Sequence, residues 1–497
     1  MDTYQLIAIG LYMLLMLAIG YYSYKKSTAN SEEFLLSGRR MGPVVTALSA
    51  GAADMSGWLL MGLPGAMYMT GLASSWIAIG LTMGALLNYV FVAPRLRIYT
   101  ERAENAITIP DYFEKRFKDH SRLLRFISAV VILVFFTLYT SAGMVAGGRL
   151  FESAFGMPYM AGLIATSSVV VVYTFMGGFM AVSLTDFVQG TIMVIALALV
   201  PAVVFFKLGG IENTFEIIRS VDPKYLDLFQ GTSVISIASL MAWGLGYFGQ
   251  PHILVRFMAI DHVRQLKQAR NVGISWMILT VGGALLVGLV GIAWMNQSGQ
   301  QLEDPETIFI HFAKFLFHPF IAGLLLSAIL AAIMSTISSQ LLVTSSSVTE
   351  DFYKAFIHRK GTPREYLLIS RLSVLVVAII SFLISLSPKD TILDLVGHAW
   401  AGFGSAFGPV ILLSLLWKRT TRNGAICGMV VGGLTVLLWI WLEHPYQEWY
   451  AMIPGFILSF IAIVVVSLTS KTPAQEILKE FHEVEEELAL NYTSDKK

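Results

Sequence analysis

Asp54 is the first residue whose surroundings suggest chemistry. It lies in GAADMSGWLLMGLPG, Gly51–Gly65, as the one carboxylate of an otherwise apolar stretch. An acid near the centre of a membrane-depth helix costs about 2.5–3.5 kcal/mol on insertion scales. A salt bridge, a set of freed backbone amides, or a cation would offset that cost. No lysine or arginine falls at mid-depth in any predicted span, which weighs against the salt bridge. The Ala52–Gly57 stretch offers carbonyls, a carboxylate and the Ser56 hydroxyl. Hard cations such as sodium take oxygen ligands of this kind.

A second group of oxygens lies in LSAILAAIMSTISSQLLVTSSS, Leu326–Ser347. Ala332, Ser335 and Thr336 are spaced i, i+3, i+4 and so share one helix face. A helical carbonyl keeps a spare lone pair, and two hydroxyls lie beside it. The competing reading is that these hydroxyls bond back to their own helix or pack helices together. Ser338, Ser339 and Ser345–Ser347 are assigned that packing role. Aromatic residues form the third group. Trp243, Tyr247 and Pro251 recur every fourth residue, Trp58 follows the Asp54 stretch, and Tyr139 lies in another apolar run. An aromatic-lined site suits a small organic solute, and ordinary packing or an interfacial belt is the alternative.

These residues need a scaffold, and composition says which kind. Of 497 residues, 56% are hydrophobic and 13% charged, and mean hydropathy is +0.68. A soluble chain of this length needs more charge to cover its surface. The apolar residues come in blocks near the twenty that span a bilayer core. The chain therefore reads as an all-α polytopic membrane protein. Thirteen spans are predicted, at about 4–24, 43–71, 73–94, 124–153, 159–179, 187–207, 232–255, 272–296, 318–348, 366–387, 391–417, 423–443 and 449–469. We number them helices 1–13. With the N-terminus outside and the C-terminus inside, 28 of the 34 Lys and Arg residues fall on the inner side and six outside, as the positive-inside rule requires. The apolar run near 4–24 follows Asp2 and no basic residue, so it reads as a first span with no cleavable signal peptide. Residues 1–470 form the membrane domain. Residues 471–497 form a cytoplasmic tail whose AQEILKEFHEVEEELAL segment predicts an amphipathic surface helix.

Helices 2 and 7 look interrupted. Helix 2 holds Gly51, Gly57, Gly62, Pro64 and Gly65, and helix 7 holds Gly244, Gly246, Gly249 and Pro251. Glycine and proline loosen a helix, and loosened backbone is tolerated at membrane depth only where it lines protein or a cavity. The two helices are five apart and start on opposite sides. That is the pattern of an inverted repeat, helices 2–6 (about 43–207) against 7–11 (about 232–417), with the solute site at the breaks. Close helix packing is the other use of such glycines. Cys427 stands alone, which excludes an internal disulfide, and the nine histidines form no metal-spaced pair. No catalytic constellation, cofactor, nucleic-acid partner or obligate protein partner is expected. A channel would need polar residues lining a whole span, and here they cluster.

The chain resembles the sodium:solute symporter family, most nearly its bacterial sodium/proline members. AADMSGW (Ala52–Trp58), YTFMGGFMAVSLTDFVQG (Tyr173–Gly190), ILAAIMSTISSQLLVTSSSVTEDFY (Ile329–Tyr353) and WKRTTRNGAICGMVVGG (Trp417–Gly433) carry the likeness. The resemblance implies a LeuT-like fold of two inverted five-helix repeats, placed in the bacterial cell membrane. It implies coupled entry of sodium and L-proline, with another small solute (amino acid, vitamin or sugar) as the alternative. By the same resemblance, sodium is bound by the carbonyls of Ala52, Met55 and Ala332 and the hydroxyls of Ser335 and Thr336. Asp54, Ser56 and Gly57 are linked to sodium. Asp186, at the inner end of helix 5, is linked to ion release, against a helix cap or loop hydrogen bond as its other reading. Tyr139, Trp243, Tyr247 and Pro251 belong to the solute or its gate, and Trp58 is assigned to the solute with them from its place in the aromatic group, not from the resemblance.

Overall fold

The computed structural model describes residues 2–26, 31–229, 231–388, 390–442 and 448–493. Among them the chain is helical throughout, apart from turns and one isolated parallel bridge between Met41 and Ile260. Lys389 and the last two lysines of the tail, counted above, lie outside the described residues. Ten stretches are long and apolar enough to cross a membrane.

Two of the ten are too long for one crossing. Tyr159–Lys207 has 49 residues. At 1.5 Å per residue it would run about 73 Å, more than twice a bilayer core. It reverses at Gly178, with φ 56° and ψ −146°. That conformation suits glycine alone, and a Cβ there would also lie 2.5 Å from the Phe34 ring. The sequence placed this turn at 180–186; the glycine moves it earlier. Asp186 is therefore not at the end of helix 5. It sits two turns into the following helix, fully buried. The Trp58–Arg102 stretch breaks in the same way at Gly71 (φ 65°, ψ −150°).

Both predicted interruptions are real. Helix 2 runs over Pro43–Asp54, leaves helical geometry at Met55 (φ −79°, ψ 79°), and resumes through a wide turn at Trp58–Gly62 and a helix over Leu63–Thr70. Helix 7 is α-helical over Val234–Ala242 and tightens to 3₁₀ geometry over Trp243–Gly249. It turns extended at Gln250 (φ −87°, ψ 104°) and restarts over Pro251–Ala259. Pro251 takes the first position of the restarted helix, where its missing N–H costs nothing. The two broken helices are tied at one end. The Met41 amide donates to the Ala259 carbonyl (3.1 Å), and the Asp261 amide to the Met41 carbonyl (3.0 Å).

Helix 9, Pro319–Ser346, is buried on every side from Leu325 onward, among helices 1, 4 and 5. A helix enclosed all round is normally apolar all round, so its hydroxyls must find internal partners. The tail helix, Gln475–Thr493, docks on Ala93–Arg102 through Arg95–Glu485 (2.8 Å), Arg102–Glu483 (3.0 Å) and Arg102–Glu487 (2.6 Å). It is the surface helix that its periodicity predicted.

Candidate functional site

The break in helix 2 meets helix 9. Ser335 Oγ donates to the Ala52 carbonyl at 2.7 Å and lies 3.0 Å from the Ala332 carbonyl. Thr336 Oγ1 lies 3.2 Å from the same Ala332 carbonyl. Ala52, Ala332, Ser335 and Thr336 thus bring two carbonyls and two hydroxyls together, all buried. Both hydroxyls bond back to their own helix, as the bland reading held. Ser335 also reaches across to helix 2, which that reading did not include.

The Asp54 side chain turns to helix 7. Its Oδ2 accepts a short hydrogen bond from the Tyr247 hydroxyl, while Oδ1 has no partner among the described residues. Helix 2 therefore joins helix 9 through the Ala52 carbonyl and helix 7 through the Asp54 carboxylate. Trp58 Nε1 donates to the Asp54 carbonyl (3.3 Å), which fixes the far side of the break. Gly57 serves packing here. A Cβ would lie 2.9 Å from Ala146 and 3.2 Å from Ile333. Met55 supplies the first non-helical dihedrals of the break.

The aromatic residues gather at the second break. The rings of Trp58 and Trp243 lie 6.4 Å apart, and Trp243 stacks on Tyr450 at 5.2 Å and 10°. Tyr247 packs edge-on against Trp400 at 5.3 Å. The 3₁₀ segment is held by side chains that complete its backbone: Trp400 Nε1 donates to the Trp243 carbonyl (2.8 Å) and Asn88 Nδ2 to the Tyr247 carbonyl (3.0 Å). A helix opened at membrane depth needs such partners. Tyr139 on helix 4 lies 6.1 Å from the His252 ring, next to Pro251.

Several buried polar atoms at these breaks have no partner. Among the described residues they include Asp54 Oδ1, Ser56 Oγ, the Tyr139 hydroxyl, and both ring nitrogens of His252. Each orphaned buried group costs about 1–3 kcal/mol. Native interiors carry few of them, so a cluster marks a place built to meet something else. A cavity beside it is lined by Asp54, Met55, Asn88, Tyr89, Tyr247 and Met277, among others.

Asp186 does not join this cluster of oxygens directly. Its Oδ2 accepts from Ser49 Oγ at 2.7 Å and from Arg256 Nη2 at 3.1 Å. Neither a helix cap nor a loop hydrogen bond describes it. Arg256 is 1% exposed. The sequence placed it in a loop after helix 7, with no cation at mid-depth in any span. The helix instead runs on to Ala259 because Pro251 restarts it. Among the described residues Asp54 has no basic partner, whereas Asp186 has Arg256. Ser339, assigned to packing, accepts from Arg256 at 2.6 Å. Sequence reasoning also missed Trp400, Tyr450, Asn88 and His252. The His252 and Arg256 pair, one turn apart after Pro251, was the available signal for those two residues alone.

Comparison with known proteins agrees in family and fold. The profile of the sodium:solute symporter family matches residues 34–432. The osmoregulated proline transporter OpuE of Bacillus subtilis is 60% identical over 471 residues, covering 95% of this chain and 96% of that one. The high-affinity proline transporter PutP of the same organism is 56% identical, covering 95% and 100%. Sodium/proline symporter 2 of Staphylococcus saprophyticus is 53% identical, covering 98% and 96%. Among solved structures, a sodium-coupled sialic acid symporter superposes with a TM-score of 0.81 at 20% identity, covering 95% and 99%. The nucleobase-cation-symport-1 family transporter Mhp1 superposes at 0.56 and 13% identity, covering 92% and 99%. At those identities the likeness is of fold, and the fold is LeuT-like.

Proposed function

The chain belongs to the sodium:solute symporter family, and on that premise we propose that it couples the inward movement of sodium to the uptake of L-proline by alternating access. It is a multi-pass membrane transporter and not an enzyme. Proline as solute is supported by relatives 53–60% identical over nearly the whole chain. We place it in the bacterial cell membrane with thirteen crossings, the N-terminus outside and the tail inside. Residues 1–470 would form the transport domain, with helices 2–6 and 7–11 as the inverted repeats.

One observation carries the mechanism. The broken segment at Ala52–Ser56 meets helix 9 through the Ala52 carbonyl and helix 7 through the Asp54 carboxylate. In this reading the carbonyls of Ala52, Met55 and Ala332 and the hydroxyls of Ser335 and Thr336 hold sodium. Asp54 compensates its charge while Tyr247 positions the carboxylate; Ser56 and Gly57 shape the turn. Asp186 lies on the ion's inward path. Trp58, Tyr139, Trp243, Tyr247 and Pro251 enclose the solute, whose carboxylate and ammonium would meet the orphaned Ser56, Tyr139 and His252 atoms. Sodium fixes the open segment, which preorganises the neighbouring solute site, and the coupling is reciprocal by linkage. One inward charge gains about 2.3 kcal/mol per 100 mV, to which the sodium gradient adds. Competition of labelled proline by unlabelled amino acids, vitamins and sugars in sodium-energised vesicles tests the solute. Proline should compete best; a stronger competitor of another class would replace it as the substrate.

A further inference from the structure

Tyr450 lies outside both of the proposed five-helix repeats, in the segment that leads into helix 13, Met452–Thr469. It nevertheless reaches the break in helix 7. Its ring lies flat on Trp243, 5.2 Å away and 10° from parallel, a favoured arrangement of two aromatic rings. Its hydroxyl donates to the Gly397 carbonyl on helix 11, Ile392–Leu416 (2.8 Å), and its amide donates to Ser239 Oγ on helix 7 (3.1 Å). Ser239 Oγ in turn donates to the Glu448 carbonyl of the same segment (3.2 Å). One tyrosine is thus fastened to helix 11 by its side chain and to helix 7 by its backbone. The segment is seated by helix 13, which packs on helix 11 and on the 3₁₀ stretch of helix 7.

Trp243 is held from several directions. Trp400 Nε1 bonds its carbonyl, and the Trp58 ring tilts towards it at 6.4 Å. Gly397 passes the edge of the stack. A Cβ there would lie 3.1 Å from the indole and 3.7 Å from the Tyr450 ring, so any larger residue would crowd the two rings. The glycine leaves room for the stack, and the same residue's carbonyl latches it.

We propose that Tyr450 is a positioning residue that limits the size of solute ring the site accepts. It acts through Trp243 and does not touch the solute. With its hydroxyl latched to Gly397, the Tyr450 ring fills the space behind Trp243, and the indole cannot draw back from the solute. Without that ring the indole can retreat into the vacated space, and the site admits a ring one carbon larger. The proposal rests on the proline reading above and adds a specificity residue from outside the repeats.

The test is a size comparison in proteoliposomes under an inward sodium gradient. Labelled proline uptake is inhibited by unlabelled proline and, separately, by pipecolate, its six-membered-ring homologue. One methylene is worth about 10–200-fold in a fitted pocket, so wild type should need at least about tenfold more pipecolate than proline for half-inhibition. In Tyr450→Ala the two half-inhibitory concentrations should become nearly equal. A segment that merely braces the fold would lower the amount of active protein and leave their ratio alone. An unchanged ratio therefore contradicts the proposal, as does a wild type that takes both rings equally. A solute of another class that outcompetes proline in the wild type overturns the proline reading instead. Should Tyr450→Ala fail to fold, Tyr450→Leu keeps apolar bulk without the flat ring or the hydroxyl. The ratio must fall there too, and a ratio equal to that of wild type contradicts the proposal.

Discussion

The Tyr247 hydroxyl donates to the Asp54 carboxylate, joining the two interrupted helices at their breaks. The acid that looked unpaired in the sequence is thus held by a phenol from the other half of the molecule. A hydrogen bond to a charged group contributes about 1.5–3 kcal/mol, and this one also sets the shape of both unwound segments. Tyr247→Phe should raise the half-saturating concentrations of sodium and proline together, by about 10–100-fold. Uptake titrations in each ligand check it. A rise for proline alone would make Tyr247 a solute contact with no hold on the ion site.

Thr336→Ala and Ser335→Ala each remove one hydroxyl from the oxygen group on helix 9. Thr336→Ala should weaken sodium about tenfold, near 1.4 kcal/mol, with normal expression. Ser335→Ala should do the same and also free the Ala52 carbonyl. Sodium titration of proline uptake measures both. Unchanged sodium dependence in Thr336→Ala would return that hydroxyl to helix back-bonding.

Helices 3 and 7 cross backbone to backbone at Gly84 and Gly244. A Cβ on Gly84 would lie 2.1 Å from the Gly244 carbonyl oxygen. Neither backbone can step aside cheaply, and forced overpacking costs about 1–3 kcal/mol. Gly84→Ala should lower the thermal unfolding temperature of the purified protein and reduce uptake. Gly10→Ala, with nothing within 4 Å of the added carbon, should change neither.

Asp119 lies in the connection before helix 4, outside the spans. Burial opposes its ionisation, yet the Ser121 hydroxyl, the Leu124 amide and Arg422 outweigh burial and hold the carboxyl below its ordinary value. A carboxyl depressed on folding adds stability above its unfolded pKa, near 4, and loses it as pH falls through the folded value. Asp119→Asn should therefore lower the unfolding temperature at neutral pH and flatten its decline between about pH 5 and 3. Melting curves across that range report it.

Much of this was legible in the sequence. The lone acid with clustered glycines marked the break in helix 2, and Gly249–Pro251 marked the break in helix 7. Spacing put Ala332, Ser335 and Thr336 on one face. What stayed hidden depended on contacts between distant segments. Nothing local says that Tyr247 reaches Asp54, or that Trp400 and Asn88 donate to the opened backbone. Arg256 was misplaced for a local reason: hydropathy ends a span at the first basic residue, while the helix restarted by Pro251 continues past it. Asp186 was misplaced because Gly178, one of two adjacent glycines, turns the chain earlier than composition alone locates.

The central claim is sodium-coupled proline uptake. Its most direct measurement is labelled-proline accumulation in proteoliposomes under an imposed inward sodium gradient, compared with lithium and proton gradients of equal size. Transient accumulation above the equilibrium level under the sodium gradient is the expected result. Uptake that proceeds equally with no sodium gradient would contradict the account.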